Sequence, residues 1–214
     1  MELKGKIVNF LGDSITEGVG VEDQSKRYDV RLTQRWELKK GNNYGISGTR
    51  FAHQHVPYDP ASFDLNFCGR SLYMDKEADL IIVFGATNDF GHGDAAFGSD
   101  GQNTPATYCG AVYCLMNNLK ITYPEAKVVF ITPAKRADVP DCSAANSRPL
   151  IDYINKIKQY APEFGFYVLD FYNDLPIDPH EPAQREKYAP DGLHFNDAGH
   201  KILADTIADF VAKI

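Results

Sequence analysis

The feature that most constrains this chain is an alternation. Short apolar runs rich in β-branched residues occupy residues 7–11, 80–84 and 128–132, with a shorter run at 167–169 and a weaker one at 43–46. Helix-like stretches lie between them. The run Leu80-Ile81-Ile82-Val83-Phe84 has no polar residue on either alternate face, the habit of a strand covered on both sides in a parallel sheet. Strands of this kind separated by helices argue for an α/β fold. Helices are expected over 28–40, with Leu32 and Trp36 on one face, and over 105–122, with Thr104 as N-cap and Pro105 in the first turn. A third is expected over 149–163, with Ser147 as cap and Pro162 near its end. The last helix follows Asn196 or Asp197 as cap and carries Ile202, Leu203, Ile207, Phe210 and Val211 as an apolar stripe.

Three of the strand-like runs lead into glycine-bearing segments: Gly12-Asp13-Ser14 after the first, Gly48 after the run at 43–46, and residues 85–89 after the run at 80–84. Ligands bind beyond the carboxyl ends of strands in open α/β sheets, so these segments are expected to converge on a site. Length and composition narrow what that site can be. The 214 residues suit one domain spanning 1–214. A net charge of −7 lacks the basic surface that a nucleic-acid partner needs. The adjacent basic pairs Lys26-Arg27, Lys39-Lys40 and Lys135-Arg136 read as solvated surface. No stretch approaches the ~20 apolar residues of a membrane span, and no signal-peptide core precedes the first run, so no membrane partner and a cytoplasmic location are expected. Cys68, Cys109, Cys114 and Cys142 form no C-x-x-C pair, and Cys109 and Cys114 read as small buried hydrophobes on a helix. His53 and His55, with His92 and Asp94, could be metal ligands, but no other ligand spacing supports them, and neither a metal nor another cofactor is expected. His180 and His200 read as surface residues.

Acyl transfer needs a nucleophile, a base, a group to hold the base, and donors for the oxyanion. Ser14 follows a strand and a turn-permitting Gly12, though a serine turn capping a helix would look the same. His194, in Asp191-Gly192-Leu193-His194, offers the imidazole that a general base requires, and Asp191 can reach its other ring nitrogen. A loop leading into the last helix with a hydrogen-bonded surface histidine is the plainer alternative. Asn88 in Gly85-Ala86-Thr87-Asn88-Asp89 can donate an amide N–H, or simply form an Asn-Asp turn. Gly48 can offer a backbone N–H with no side chain in the way. Gly-x-Ser-x-Gly is absent, with Ser47 in Gly45-Ile46-Ser47-Gly48 failing the spacing, and no phosphate-cradling Gly-x-x-x-x-Gly-Lys occurs.

Taken together, these segments resemble the four blocks of the SGNH (GDSL-type) hydrolases, in family order and spanning residues 12 to 194. Gly12-Asp13-Ser14-Ile15-Thr16 is similar to the first block, Gly48 to the second, Gly85-x-x-Asn88-Asp89 to the third and Asp191-x-x-His194 to the last. The resemblance implies a flavodoxin-like three-layer α/β/α sandwich with a five-stranded parallel sheet. It implies metal-free ester hydrolysis through an acyl-serine intermediate. Ser14 would be nucleophile, His194 base and Asp191 its support, with Ser14, Gly48 and Asn88 forming the oxyanion hole. Gly12 and Asp13 would be structural. Phe195 departs from the proline that often follows the family histidine and is expected to shift the local loop. Family members act on acyl lipids, thioesters, small esters and acetylated sugars. The expectation here is a short-chain, acetyl-type ester of a small molecule or oligosaccharide. A lysophospholipase or acyl-thioesterase is the alternative, and a non-catalytic sugar-binding protein the second. Loops 90–103, 134–148 and 173–190 are expected to wall the pocket, with Asp89, Phe90 and His92 as candidate substrate contacts.

Overall fold

Strands form where the apolar runs predict them. In the computed structural model, which describes residues 1–138 and 140–214, they are β1 (Ile7–Gly12), β2 (Lys40–Gly45), β3 (Leu80–Phe84), β4 (Lys127–Ile131) and β5 (Tyr167–Leu169). All neighbours pair in parallel in the order β2-β1-β3-β4-β5. This is the flavodoxin-like doubly wound order, whose switch point lies between β1 and β3. β2 begins three residues before its apolar run because it is an edge strand. Lys40, Gly41, Asn42 and Asn43 pair with β1 in the backbone ladder, with Asn42 Nδ2 also donating to Asn9 Oδ1, and need little apolar cover.

Alternate residues of the central strands feed two cores. Ile81 and Val83 face one, with Leu11, Val128 and Phe130; Leu80, Ile82 and Phe84 face the other, with Val8, Phe10 and Ile131. The short helices α1 (Ser14–Glu17), α3 (Phe67–Arg70) and α4 (Thr87–His92) stand near the sheet's carboxyl end. Between α1 and α3 lies α2 (Tyr28–Arg35). The first core is covered by α5 (Tyr108–Thr122) and α6 (Leu150–Tyr160), the second by α2 and α9 (Asp197–Val211). The connections are completed by α7 (Phe171–Asp174) and α8 (Pro182–Tyr188). No described helix is long and apolar enough to cross a membrane.

Several boundaries differ from expectation, each for a local reason. α2 stops at Arg35 rather than 40, because Glu37 turns left-handed (φ 47°) and Leu38 N–H bonds back to the Thr33 carbonyl, returning the chain to β2. α5 is capped by Thr107, whose hydroxyl accepts the Gly110 N–H, not by Thr104; the Pro105 carbonyl is instead taken by His53 N–H. α6 starts after Pro149 without a side-chain cap from Ser147, and Pro162 sits in the single 3₁₀ turn (Ala161–Phe164) that ends it. Asn196 caps α9 by accepting the N–H groups of Ala198 and Gly199. Asp197 instead accepts the Glu22 and Asp23 amides and pairs with Lys26. The loop beginning at residue 90 starts within α4, and the loop at 173–190 contains α8. Residue 139 of the loop at 134–148 lies outside the described residues.

Two surface assignments are corrected. His200 is 0% exposed: its Nδ1 accepts the Tyr28 N–H at 3.0 Å and its ring stacks on Tyr28. Arg136 is buried, donating to the Thr87 carbonyl and hydroxyl and doubly to Asp138. Periodicity could not expose either, since both are buried by distant segments. His180 is exposed. Cys109 is buried and Cys114 half-buried on α5.

Candidate active site

The turn after β1 carries Ser14. Asp13 caps α1 by accepting the Ile15 N–H, so Ser14 becomes the first helical residue and its own N–H has no partner within the helix. A Cβ on Gly12 would come within 1.9 Å of Thr16 Oγ1, so only glycine lets α1 fold back this tightly. Burial pushes the Asp13 carboxyl up to about 6, although the Ile15 N–H and the nearby His194, Arg70 and Arg136 draw it down. Arg70, from α3, donates to the carbonyls of Gly12 and Tyr44 and to Thr49 Oγ1. One guanidinium thus ties the carboxyl ends of β1 and β2 to the segment after β2.

Ser14 Oγ lies 2.9 Å from His194 Nε2, and His194 Nδ1 lies 2.6 Å from Asp191 Oδ2. The other oxygen of Asp191 accepts the N–H groups of Leu193 (2.9 Å) and His194 (2.7 Å). Burial tends to raise the Asp191 pKa, but the His194 ring and those two amides outweigh it and hold the carboxylate below its ordinary value. An ionised Asp191 accepts a hydrogen bond from Nδ1–H, which fixes the ring proton there and leaves Nε2 free to accept from the Ser14 hydroxyl.

Across the cleft, the segment after β2 brings Gly48 forward. Gly48 has φ +71°, and a Cβ there would meet the Phe63 ring at 2.2 Å. Glu17 steadies this turn by accepting the Ser47 N–H at 2.7 Å and the Ser47 hydroxyl. Asn88 stands in the first turn of α4, after a left-handed Ala86 (φ 75°) redirects the chain leaving β3. Its Nδ2 donates to the Thr49 carbonyl at 3.1 Å.

Ser14, Gly48, Asn88 and His194 line one cavity of about 420 Å³. Of the candidate substrate contacts, only His92 lines it. Asp89 and Phe90 are each 4% exposed and lie beneath it. Both Asp89 oxygens accept backbone amides, from Phe51 and Ala52, and Phe90 packs edge-on against Tyr153. Position next to Asn88 suggested all three, but helical geometry turns neighbours to different faces. The loop at 134–148 contributes Arg136 and Asp138 to the wall; among the described residues, 173–190 contributes none. Sequence reasoning also missed Val19, Ser47, Phe63 and Leu193 as lining residues. Apart from Ser47 and Leu193, which sit within the recognised blocks, no local signal marks them.

Among the described residues, His53, His55, His92 and Asp94 do not come together as a group that could hold a metal ion. Both oxygens of Asp94 accept the His55 and Val56 amides, and His92 Nδ1 faces Arg50. Phe195 is buried in the second core, a Cβ on Gly199 would meet its side chain, and its backbone passes close to Gly20.

Residues 10–202 match the GDSL-like Lipase/Acylhydrolase family. A Lactobacillus plantarum protein of known structure is 28% identical over 99% of this chain and 98% of its own, with a TM-score of 0.86. A carbohydrate acetylesterase family member from Sinorhizobium meliloti has a TM-score of 0.66 at 16% identity, covering 96% of this chain and 97% of its own. A two-domain esterase active on acetylated mannans has a TM-score of 0.67 at 18% identity, covering 99% of this chain and 49% of its own. No curated protein matches this chain. With the family's pattern running through nearly the whole sequence and its fold reproduced, the chain belongs to the GDSL-like lipase/acylhydrolase family.

Proposed function

We propose that this protein is a serine esterase that removes a short acyl group, acetyl in particular, from a carbohydrate. The observation that carries the reading is the unbroken path from Asp191 through His194 to Ser14, opening into a cavity with Gly48 and Asn88 on its far side. Ser14 Oγ attacks the ester carbonyl carbon while His194 Nε2 takes the hydroxyl proton. The oxyanion is held by the N–H groups of Ser14 and Gly48 and by Asn88 Nδ2. The tetrahedral adduct collapses, the C–O bond to the alcohol breaks, and His194 returns its proton to the departing oxygen. Water then attacks the acyl-serine by the same route, releasing the acid and restoring Ser14.

The substrate class rests on the walls. A cavity of about 420 Å³ lies toward the small end of ligand sites. Ser47, His92, Arg136 and Asp138 put polar groups into a lining that is otherwise largely apolar, with Val19, Phe63 and Leu193 among its residues. The small volume suits a short acyl group better than a long acyl chain, and the polar groups offer partners for a sugar's hydroxyls. The two carbohydrate-directed structural neighbours point the same way.

Fluorophosphonate labelling and acetate release from acetylated oligosaccharides, alongside p-nitrophenyl esters of increasing chain length, test the reading. Wild type should label and prefer acetate. Ser14→Ala should neither label nor turn over, a loss on the order of 10⁶ in kcat by analogy with other serine nucleophiles. A Ser14→Ala protein that cleaves p-nitrophenyl acetate at the wild-type rate overturns it. A peak at eight carbons or longer transfers the site to a lysophospholipase or acyl-thioesterase. Failure of folded wild type to label favours a sugar-binding role.

A further inference from the structure

An oxyanion hole that uses a side-chain amide has a problem that one made of backbone N–H groups does not. Asn88 can present Nδ2–H₂ or, rotated by half a turn, Oδ1. One orientation stabilises a developing negative charge and the other repels it. Something must fix which end faces the cavity.

Asn88 lies between two groups whose hydrogen bonds run only one way. At one end is the Thr49 carbonyl, which can only accept, 3.1 Å from Asn88 Nδ2. At the other is the Arg50 guanidinium, which can only donate, with Nη1 3.1 Å from His92 Nδ1. His92 Nε2 bridges the gap, 3.1 Å from Asn88 Oδ1. Because Arg50 donates, His92 Nδ1 must be the bare nitrogen. The ring proton then sits on Nε2 and donates to Asn88 Oδ1. With Oδ1 engaged and one Nδ2 hydrogen spent on Thr49, the second Nδ2 hydrogen is the one left for the cavity. Asn88 and His92 are four apart on α4, so the helix places them on one face. Arg50 is held in turn by the Phe63 carbonyl and Asp64, each at 3.2 Å, and is 2% exposed.

We propose that His92 and Arg50 are positioning residues that lock the Asn88 amide with its N–H₂ toward the oxyanion, His92 acting as a neutral imidazole of one fixed tautomer. The proposal rests on the reading of Asn88 as an oxyanion donor. Residues 48, 49 and 50 thereby supply, one after another, a backbone donor, the acceptor that anchors Asn88 and the cation that orients His92. Burial, with Arg50 and Arg136 nearby, lowers the His92 pKa to about 4, so the ring keeps its bare nitrogen at neutral pH.

His92→Leu removes the relay while keeping an apolar filler; His92→Gln can keep it, Oε1 accepting from Arg50 and Nε2 donating to Asn88. On p-nitrophenyl acetate, His92→Leu should lose roughly 10- to 100-fold in kcat, less than the ~10²–10³ of deleting the whole donor, with KM changed less than about threefold. His92→Gln should recover most of that loss. In an Asn88→Ala background, His92→Leu should cost less than about twofold more. Equal costs in both backgrounds, or a loss confined to KM, overturn the proposal. Nitrogen-15 NMR of the histidine rings in wild type decides the tautomer with no variant at all. Nε2 protonated and Nδ1 bare between pH 6 and 8 is the expected result, and the opposite tautomer overturns it. An inactive wild type would defeat the esterase reading, whereas a wrong tautomer in active wild type would defeat only this inference.

Discussion

The two sides of the cavity solve opposite problems. In the proposed reaction the Ser14 side handles a proton, and apart from Ser14 itself its parts are local: Asp191, the Leu193 and His194 amides and the His194 ring lie within four residues, with the Asp191 side chain 54% exposed. In that reaction the Asn88 side handles charge without moving a proton, and its parts are distant: Gly48, Thr49, Arg50, Asp64, Asn88 and His92 are drawn from three segments, the first three and Asn88 buried, Asp64 half-buried and His92 reaching solvent. The difference is electrostatic. A carboxylate that must stay ionised to support an imidazolium costs less beside water. Dipoles that must stabilise an oxyanion act more strongly where water is excluded and rotation is blocked.

The sharpest way to break the first side is Asp191→Asn. It keeps the shape but lets Nδ1 become an acceptor, leaving the wrong tautomer facing Ser14. A fall of up to ~10⁴ in kcat is expected from steady-state kinetics. Breaking the second side by Asn88→Ala should cost ~10²–10³ in kcat and little in KM. If Asn88→Ala proves as damaging as Asp191→Asn, the division of labour drawn here is wrong.

His200 sharpens the comparison from outside the cavity. It lies six residues after His194 but is wholly buried, with no carboxylate bonded to its ring and its Nε2 without a partner among the described residues. Burial, aided by Arg27 and Arg31 and opposed by Asp29 and Asp197, lowers its pKa from 6.5 to about 4. A histidine lowered on folding contributes stability that is complete above pH 6.5 and lost as pH falls toward 4. Between pH 7 and 4.5 its share is about 2–3 kcal/mol. Urea unfolding of His200→Asn should therefore show a shallower loss across that interval than wild type, with the esterase rate at pH 7 within about threefold. An unchanged slope would mean that His200 does not titrate with folding. Imidazole alone does not make a base; the carboxylate behind it and the opening in front of it do.

Much of the frame was legible because it repeats locally. The β3 run appears with its observed limits, since strands buried on both faces are apolar throughout. Ser14, His194 and Asp191 were legible because a turn after a strand and a three-residue spacing are themselves local objects. Arg50, Arg70 and Arg136 were not, although the first and last are buried, Arg70 is half-buried, and each ties segments of the site together. Their partners lie 14, 58 and 49 residues away, and no periodicity marks such a pairing. Phe63 was missed for the same reason: only folding brings its ring onto Gly48.

The sequence by itself therefore determined the layered α/β architecture and which residues could act, because backbone preference, apolar patterning and turn chemistry are written in neighbouring residues. Tertiary structure alone decided which other histidine is buried and which one holds the asparagine. Those choices depend on what surrounds each ring, and the surroundings come from chain segments that meet only once the sheet has formed.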